Sequence, residues 1–245
     1  MKDLFSEHSE LYQQARPTYP QSLVNSLIKQ LNGFACAWDC GAGSGQLTQL
    51  IAPYFKQVVA TDLSQNQLDQ APVLPNVQYL QQAAEQPVFA DQSFDLITVA
   101  QAIHWFDFEK FYTEVKRTLK PDGLFAVIGY GLIQLDDTNL NQRIDQLYHY
   151  TLKGFWDAER RYIDELYQSI PFPFEEISMP QFQIELSWTG PQLWDYLNTW
   201  SAVKHYQDQL HISPLASLED ILQIQQPIAV RFPILLRVGR LATSG

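Results

Sequence analysis

Cysteine is nearly absent: Cys36 and Cys40 are the only two in 245 residues. Two thiols build no disulfide framework and fall short of a four-ligand zinc site. Free thiols point to a reducing compartment, hence the cytoplasm. Basic charge is scarce as well, with 16 Lys and Arg against 27 Asp and Glu and a formal net charge of -11. A chain with a sequence pI of 4.8 is repelled by phosphate backbones and anionic lipid, which argues against nucleic acid and membranes as partners. Long apolar runs are missing: Gln, Asp or Pro interrupts each within about a dozen residues, short of the ~20 that a spanning helix needs. The opening MKDLFSEHSELYQQARPTYP has no basic start followed by an apolar stretch, so no signal peptide is expected. There is no internal repeat, no linker, no Cys/His/Asp cluster spaced for a metal and no nucleophilic serine elbow. The paired acids Asp136-Asp137 and Glu175-Glu176 read as solvated loop charge.

What is present is a globular composition, 46% hydrophobic and 18% charged. A chain of this length buries roughly 70–75% of its unfolded surface, enough for one sizeable core. Strand and helix signals alternate over residues 1–130. Phe34 to Trp38, Val58 to Asp62, Val77 to Leu80, Phe94 to Ala100 and Leu124 to Tyr130 read as buried strands. Phe108, Phe111, Tyr112, Val115 and Leu119 recur at helical spacing, which predicts a helix over 107–119 that Lys120-Pro121-Asp122-Gly123 ends in a turn. Near-continuous apolar strands separated by helices imply an α/β fold with a parallel sheet covered on both faces. After Tyr130 the rhythm changes. Helical patterns over 138–169, 190–206 and 215–226 predict a cap, with one strand at 181–188 inside it and a long final strand at 227–241. Pro233 in that last strand points to a bulge or an edge position. The whole chain, 1–245, is expected to form one domain: a cofactor half over 1–130, a cap and acceptor region over 131–226, and the final strand.

The strongest local signal is Asp39-Cys40-Gly41-Ala42-Gly43-Ser44-Gly45 between a buried strand and a helix. Glycine is required where a backbone turns with φ > 0 or where a ligand lies on the main chain. Such a turn at the mouth of a parallel sheet is a nucleotide-cofactor site. Asp62 ends the next strand, where an acid can accept both ribose hydroxyls of an adenosine. The dinucleotide fingerprint G-x-G-x-x-G is broken at Gln46, which disfavours an NAD-dependent enzyme. The spacing G-x-G-x-G, with Asp39 two residues before it, resembles motif I of the class I S-adenosylmethionine-dependent methyltransferases. Residues 83–95 are similar to that family's adenine-holding segment. There the resemblance implies that Ala84 offers backbone groups, Glu85 accepts from the adenine amine and Leu63 packs on the adenine face, although a leucine there equally suits plain core. Phe5, Tyr12, Arg16-Pro17-Thr18-Tyr19-Pro20, Gln101 to Phe106, Trp156 with Arg160, Thr199-Trp200-Ser201 and Phe232 to Arg240 resemble the trans-aconitate and cantharidin methyltransferase group. The implied fold is a Rossmann-like seven-stranded sheet in the order 3-2-1-4-5-7-6 with the last strand antiparallel. The implied cofactor is S-adenosylmethionine, with S-adenosylhomocysteine as product. The implied cofactor residues are Tyr12, Arg16, Asp39, Gly41, Ala42, Gly43, Ser44, Gly45, Asp62, Leu63, Ala84, Glu85 and Gln101, with Tyr12, Arg16 and Tyr19 folding over the cofactor as a lid.

On the acceptor side, methyltransferases of nucleic-acid or glutamine nitrogen carry Asn/Asp-Pro-Pro-aromatic after strand four. This chain has Gln101-Ala102-Ile103-His104 there. His104 and Trp105 are the candidates at that strand end, each open to a purely structural reading. Arg160 and Arg161 with Tyr162 in the cap are candidate carboxylate partners. Trp156, Tyr162, Trp200 and Tyr206 are candidate faces for a cationic sulfonium. The expected activity is methyl transfer to a small molecule, at the oxygen of a small carboxylic acid. A phenol, quinone or sterol acceptor is the alternative, and a non-catalytic binder of the cofactor or its product is another. No metal and no nucleic-acid partner is expected, and a monomer or homodimer fits.

Overall fold

A computed structural model describes residues 16–242. Helix α1 (Gln21–Ile28) leads into β1 (Cys36–Cys40). Then α2 (Thr48–Ile51), β2 (Gln57–Asp62), α3 (Gln65–Leu68), β3 (Val77–Gln81), β4 (Phe94–Ala100), α4 (Phe108–Thr118) and β5 (Leu119–Tyr130) alternate. β1 pairs in parallel with β2 on one side and β4 on the other, β3 extends β2, and β5 extends β4. β5 shows why these strands are apolar throughout: Leu124, Ala126, Ile128 and Tyr130 face one core, Phe125 and Val127 the other. Helix α4 starts at Asp107, whose side chain accepts from Lys110 N, an N-cap. It buries Phe111, Tyr112 and Val115 on the second core. Lys120 to Gly123 does not close α4 with a free turn. It bulges within β5, between the pairs Phe94↔Leu119 and Leu96↔Leu124. Asp95 anchors this bulge through Lys120 Nζ at 2.7 Å and accepts the backbone N–H groups of Ala35 and Cys36 at 2.8 and 2.9 Å.

The second half comprises β6 (Gln134–Leu135), α5 (Thr138–Gln146), α6 (Arg161–Asp164), β7 (Glu175–Glu176), β8 (Gln183–Trp188), α7 (Gly190–Asn198), α8 (Ser201–Leu210) and β9 (Ile228–Arg240). β9 runs antiparallel between β5 and β8. The long strands therefore stand in the order β3-β2-β1-β4-β5-β9-β8, with short β6 and β7 also on β9. This is the expected Rossmann-like order with an antiparallel last strand. Pro233 is not at an edge. It sits inside β9 at the handover where the β5 ladder ends at Tyr130↔Ile234 and the β8 ladder ends at Gln183↔Pro233, so the missing N–H falls at the ladder break.

The helical stretches of the second half are more broken than the periodicity predicts. Residues 138–169 split into α5, a π-helical turn (Leu147–Thr151), a 3-10 turn (Ala158–Arg160) and α6, because Gly154, Leu166 and Tyr167 all take positive φ. The 190–206 helix breaks at Trp200, whose backbone is extended. Ala216–Gln223 is 3-10 rather than α-helix. No helix among the described residues is long and apolar enough to cross a membrane.

Tyr167 is fully buried against Gly129 on β5, where an added Cβ would lie 2.7 Å from its ring. Gly129→Ala should therefore overpack this contact and lower stability by about 1–3 kcal/mol. An unchanged urea midpoint would show that the ring has room to retreat.

Candidate active site

The glycine turn leaves β1 with φ of +69° at Gly41, +55° at Gly43 and +77° at Gly45, the left-handed region that L side chains avoid. Gly41 has a second reason to be glycine: a Cβ there would lie 2.5 Å from Ala102 Cβ. Gly41 N and Ala42 N both donate to Thr61 O, at 2.8 and 2.9 Å, so the turn is tied to the end of β2. Asp62 completes the tie. Its Oδ2 accepts from Gly43 N and its Oδ1 from Ser64 N, each at 2.9 Å. Ser64 in turn caps α3, accepting from Gln67 N. Asp39 is fully buried beneath the turn, with Thr48 Oγ1 and Thr98 Oγ1 donating to it at 2.6 and 2.8 Å. Burial pushes its carboxyl up to about 6, against the two hydroxyl bonds that favour the ion, with Asp62 adding to the rise.

Above the turn lies a cleft of about 1090 Å³. Arg16, Gly41, Ala42, Gly43, Ser44, Asp62, Leu63, Ala84 and Gln101 line it. Asp39, Gly45 and Glu85 do not reach it. Gly45 backs onto Tyr79, Ala71 and Pro72. Glu85 turns towards α4, where its Oε1 accepts from Asp107 N at 3.1 Å. Tyr12 lies outside the described residues. Tyr19 and Phe106, both named in the sequence, line the cleft as well, and Gln82, Gln67 and Tyr130 line it without having been singled out there. Gln82 and Tyr130 sit at carboxyl ends of parallel strands, which is the signal that marks them.

The chain leaves β4 through Gln101, held at φ +54°. Gln101 N donates to Ile128 O at 2.9 Å and its Nε2 to Tyr130 O at 3.3 Å. This turn carries Trp105 to the wall between the cleft and a second cavity of about 540 Å³. Arg16, Gln101 and Trp105 line both spaces. His104, Trp156, Asp157, Arg160, Ile163, Trp200 and Ser201 complete the second. Arg16 Nη1 donates to Tyr130 OH at 3.0 Å and its Nη2 to Thr199 O at 3.4 Å. Arg160 lies over the rings of Trp156 and Tyr148, at 5.0 and 5.2 Å, and its Nε donates to Tyr148 OH at 2.7 Å. Ser201 Oγ donates to Asp157 at 2.9 Å. Burial first, and the charge of Arg160 second, push His104 down to about 3, so its ring is neutral at ordinary pH. Arg161 is turned away. It is exposed, donates to Tyr162 OH at 2.9 Å and lines neither cavity. Tyr162 and Tyr206 pack elsewhere, Tyr162 against Phe108 and Tyr206 against Phe155. No group of three or more metal-type side chains gathers among the described residues.

A cleft at the carboxyl ends of parallel strands, over a glycine turn and an acid, defines a Rossmann-like nucleoside-cofactor protein. The comparisons make the class specific. Residues 38–127 match the methyltransferase domain family model. A Dictyostelium discoideum protein with a provisional methyltransferase name is 36% identical over 204 residues, 81% of this chain and 77% of that one. A Saccharomyces cerevisiae protein provisionally named an S-adenosylmethionine-dependent methyltransferase is 31% identical over 148 residues, 57% of this chain and 50% of that one. The structure of a provisionally assigned type II methyltransferase from Anaeromyxobacter dehalogenans superposes with a TM-score of 0.85 at 36% identity, covering 92% of this chain and 97% of that one. The chain belongs to this methyltransferase family, and its activity is that of an S-adenosylmethionine-dependent methyltransferase.

The cleft fits such a cofactor. Gln82 Nε2 is buried with no hydrogen-bond partner among the described residues, a donor that an adenosine acceptor would satisfy. Asp62 lines the cleft, and its carboxylate, an acceptor-only group, suits ribose hydroxyls. Leu63 and Phe106 supply apolar wall.

Asp62→Ala should weaken S-adenosylmethionine binding about 10–100-fold, as for charge-assisted bonds of roughly 1.5–3 kcal/mol. Calorimetry on the folded variant that finds unchanged affinity would take Asp62 out of the site. Asp39 is read by pH. Its folded value, about 6, lies above the ordinary aspartate value of 3.8. Between those values the unfolded chain has released the proton that the folded chain keeps, so wild-type stability falls as pH rises through this window. Asp39→Asn lacks this loss. Its urea midpoint relative to wild type should improve from pH 4 to pH 7, by an amount worth up to roughly 3 kcal/mol. A constant gap would mean that folding does not raise the Asp39 carboxyl above its unfolded value.

Proposed function

We propose that the acceptor is a small molecule methylated on a carboxylate oxygen. The observation that carries this reading is Arg160. It lines the second cavity, its Nε is bound to Tyr148, and its two terminal nitrogens have no hydrogen bond among the described residues. Arg16 brings a second guanidinium to the same cavity. Arginine grips a carboxylate with two parallel hydrogen bonds, and a desolvated carboxylate needs such pairing. The second cavity is walled by Trp105, Trp156 and Trp200, a lining that suits a small acceptor rather than a polymer. The acidic balance of the chain supports the same choice, and free Cys36 and Cys40 suit a reducing cytoplasm.

Bound in the cleft, S-adenosylmethionine supplies an electrophilic methyl group. The residues of this chain align the acceptor with it. Arg160 and Arg16 hold the carboxylate, while Trp105, Trp156 and Trp200 exclude water from it. Positioning of this kind can supply ~7–11 kcal/mol of the barrier. A carboxylic acid with a pKa near ~4 is already ionised at neutral pH and needs no base. That matches His104, which at about 3 is too weak a base to hold a proton. Asp157 supports a second reading. Among the described residues it is the one carboxylate lining the second cavity, and a phenol acceptor would need it as base.

Arg160→Gln should raise KM for an acid acceptor about 10–100-fold, the cost of roughly 1.5–3 kcal/mol of charge-assisted bonding, with cofactor affinity little changed. The acceptor class is settled by screening small acids, phenols and amines for S-adenosylhomocysteine release. Turnover confined to phenols, and abolished in Asp157→Asn, would replace the carboxylate reading with the second one.

A further inference from the structure

We infer that Tyr167 is a positioning residue that holds His104 in a single neutral tautomer, with Nδ1 as acceptor and the proton on Nε2, so that His104 meets the acceptor as a hydrogen-bond donor. The inference rests on the proposed acceptor site for its consequence, but not for its chemistry. Tyr167 is fully buried, and its hydroxyl has one hydrogen bond among the described residues, to His104 Nδ1 at 3.3 Å. A buried phenol has one proton to donate and pays heavily if that proton finds no acceptor. Of the groups that act electrostatically on the Tyr167 hydroxyl, Arg160 has no acceptor to give, and Tyr130, whose hydroxyl accepts from Arg16, makes no hydrogen bond to it among the described residues. If Nδ1 carried the ring proton, the Tyr167 hydroxyl proton would have nowhere to go. With Nδ1 accepting, the neutral ring carries its proton on Nε2. Burial and the Arg160 charge keep the ring from taking a second proton.

The placement of Tyr167 is built at local cost. Leu166 and Tyr167 both lie in the left-handed region, at φ +54° and +61°, where L-residues are disfavoured by roughly 1–2 kcal/mol each. Outliers of this kind persist where the surroundings over-determine them, and they gather at functional sites. Here the surroundings are explicit. Tyr167 N donates to Tyr162 O at 2.7 Å. Arg237 on β9 donates to Tyr167 O at 3.4 Å and Ile170 O at 2.7 Å, stacks on Phe172 at 4.5 Å and pairs with Glu176 at 2.9 Å. Gly129 leaves the space that the phenol ring fills. The result is a donor, not a base, facing the second cavity. A carboxylate oxygen, already ionised, can accept that bond directly, whereas a phenol would still need another group to take its proton.

Nitrogen NMR of the full chain with labelled histidine tests this directly. The chain has five histidines, and His104→Gln identifies the His104 signals by their loss. The expected wild-type spectrum has an acceptor-type Nδ1 and a protonated-type Nε2, unchanged from pH 8 to pH 5. In Tyr167→Phe the two signals should move towards each other as both tautomers become populated. A protonated-type Nδ1 in the wild type overturns the inference, as does an unchanged spectrum in a folded Tyr167→Phe. Should that variant not fold, the wild-type spectrum alone decides. Turnover confined to phenols would remove the carboxylate acceptor and leave the tautomer standing. A proton on Nδ1 would remove the tautomer whichever acceptor turns over.

Discussion

The site depends on one constraint of the sheet: β1 has β2 on one side and β4 on the other. The chain leaves β1 towards β2 and returns to β4 only after β3. The connections at the two carboxyl ends therefore diverge, and a crevice has to open between them. Everything functional is an answer to that opening. The glycine turn crosses its floor and is tied to Thr61 O, Asp62 stiffens the turn from the neighbouring strand, and Gln101 bends the chain away at the end of β4. Asp95 secures the other end of the same pair of strands. It joins the start of β1 to the β5 bulge through two backbone N–H groups and Lys120.

Those parts of the site that are written in backbone conformation were legible in the sequence. A turn with three positive φ values demands glycine, so Gly41, Gly43 and Gly45 announce themselves, and the acid at the end of β2 follows from the strand pattern. Side-chain direction was not legible. Arg160 and Arg161 are equivalent as text, yet adjacent helical positions point about 100° apart, and only Arg160 faces the second cavity. Glu85 matched an adenine-holding pattern, but the nearby start of α4 offers it the Asp107 N–H. The left-handed pair Leu166-Tyr167 carries none of the Gly or Asn that marks such turns. It is imposed by packing and by Arg237, contacts between segments far apart in the chain. The break at Trp200 is hidden for a similar reason, because the apolar period runs through it without interruption.

The second cavity inverts the electrostatic character of the molecule. A chain with a formal net charge of -11 brings two guanidinium groups and one carboxylate to a half-enclosed space. Aromatic rings make this affordable: Arg160 lies over Tyr148 and Trp156, and Arg16 over Tyr196 at 5.8 Å. A guanidinium stacked in this way keeps its charge while its planar fork is held ready, so less side-chain entropy is lost when it binds.

Arg16, Gln101 and Trp105 belong to both spaces. A shared wall makes the two ligands thermodynamic neighbours. Whatever free energy the occupant of the cleft adds to, or takes from, binding in the second cavity must be returned in equal measure by the second occupant, since coupling between sites is reciprocal. The strength of that coupling, and its sign, thus pass through three side chains rather than residing in either cavity alone.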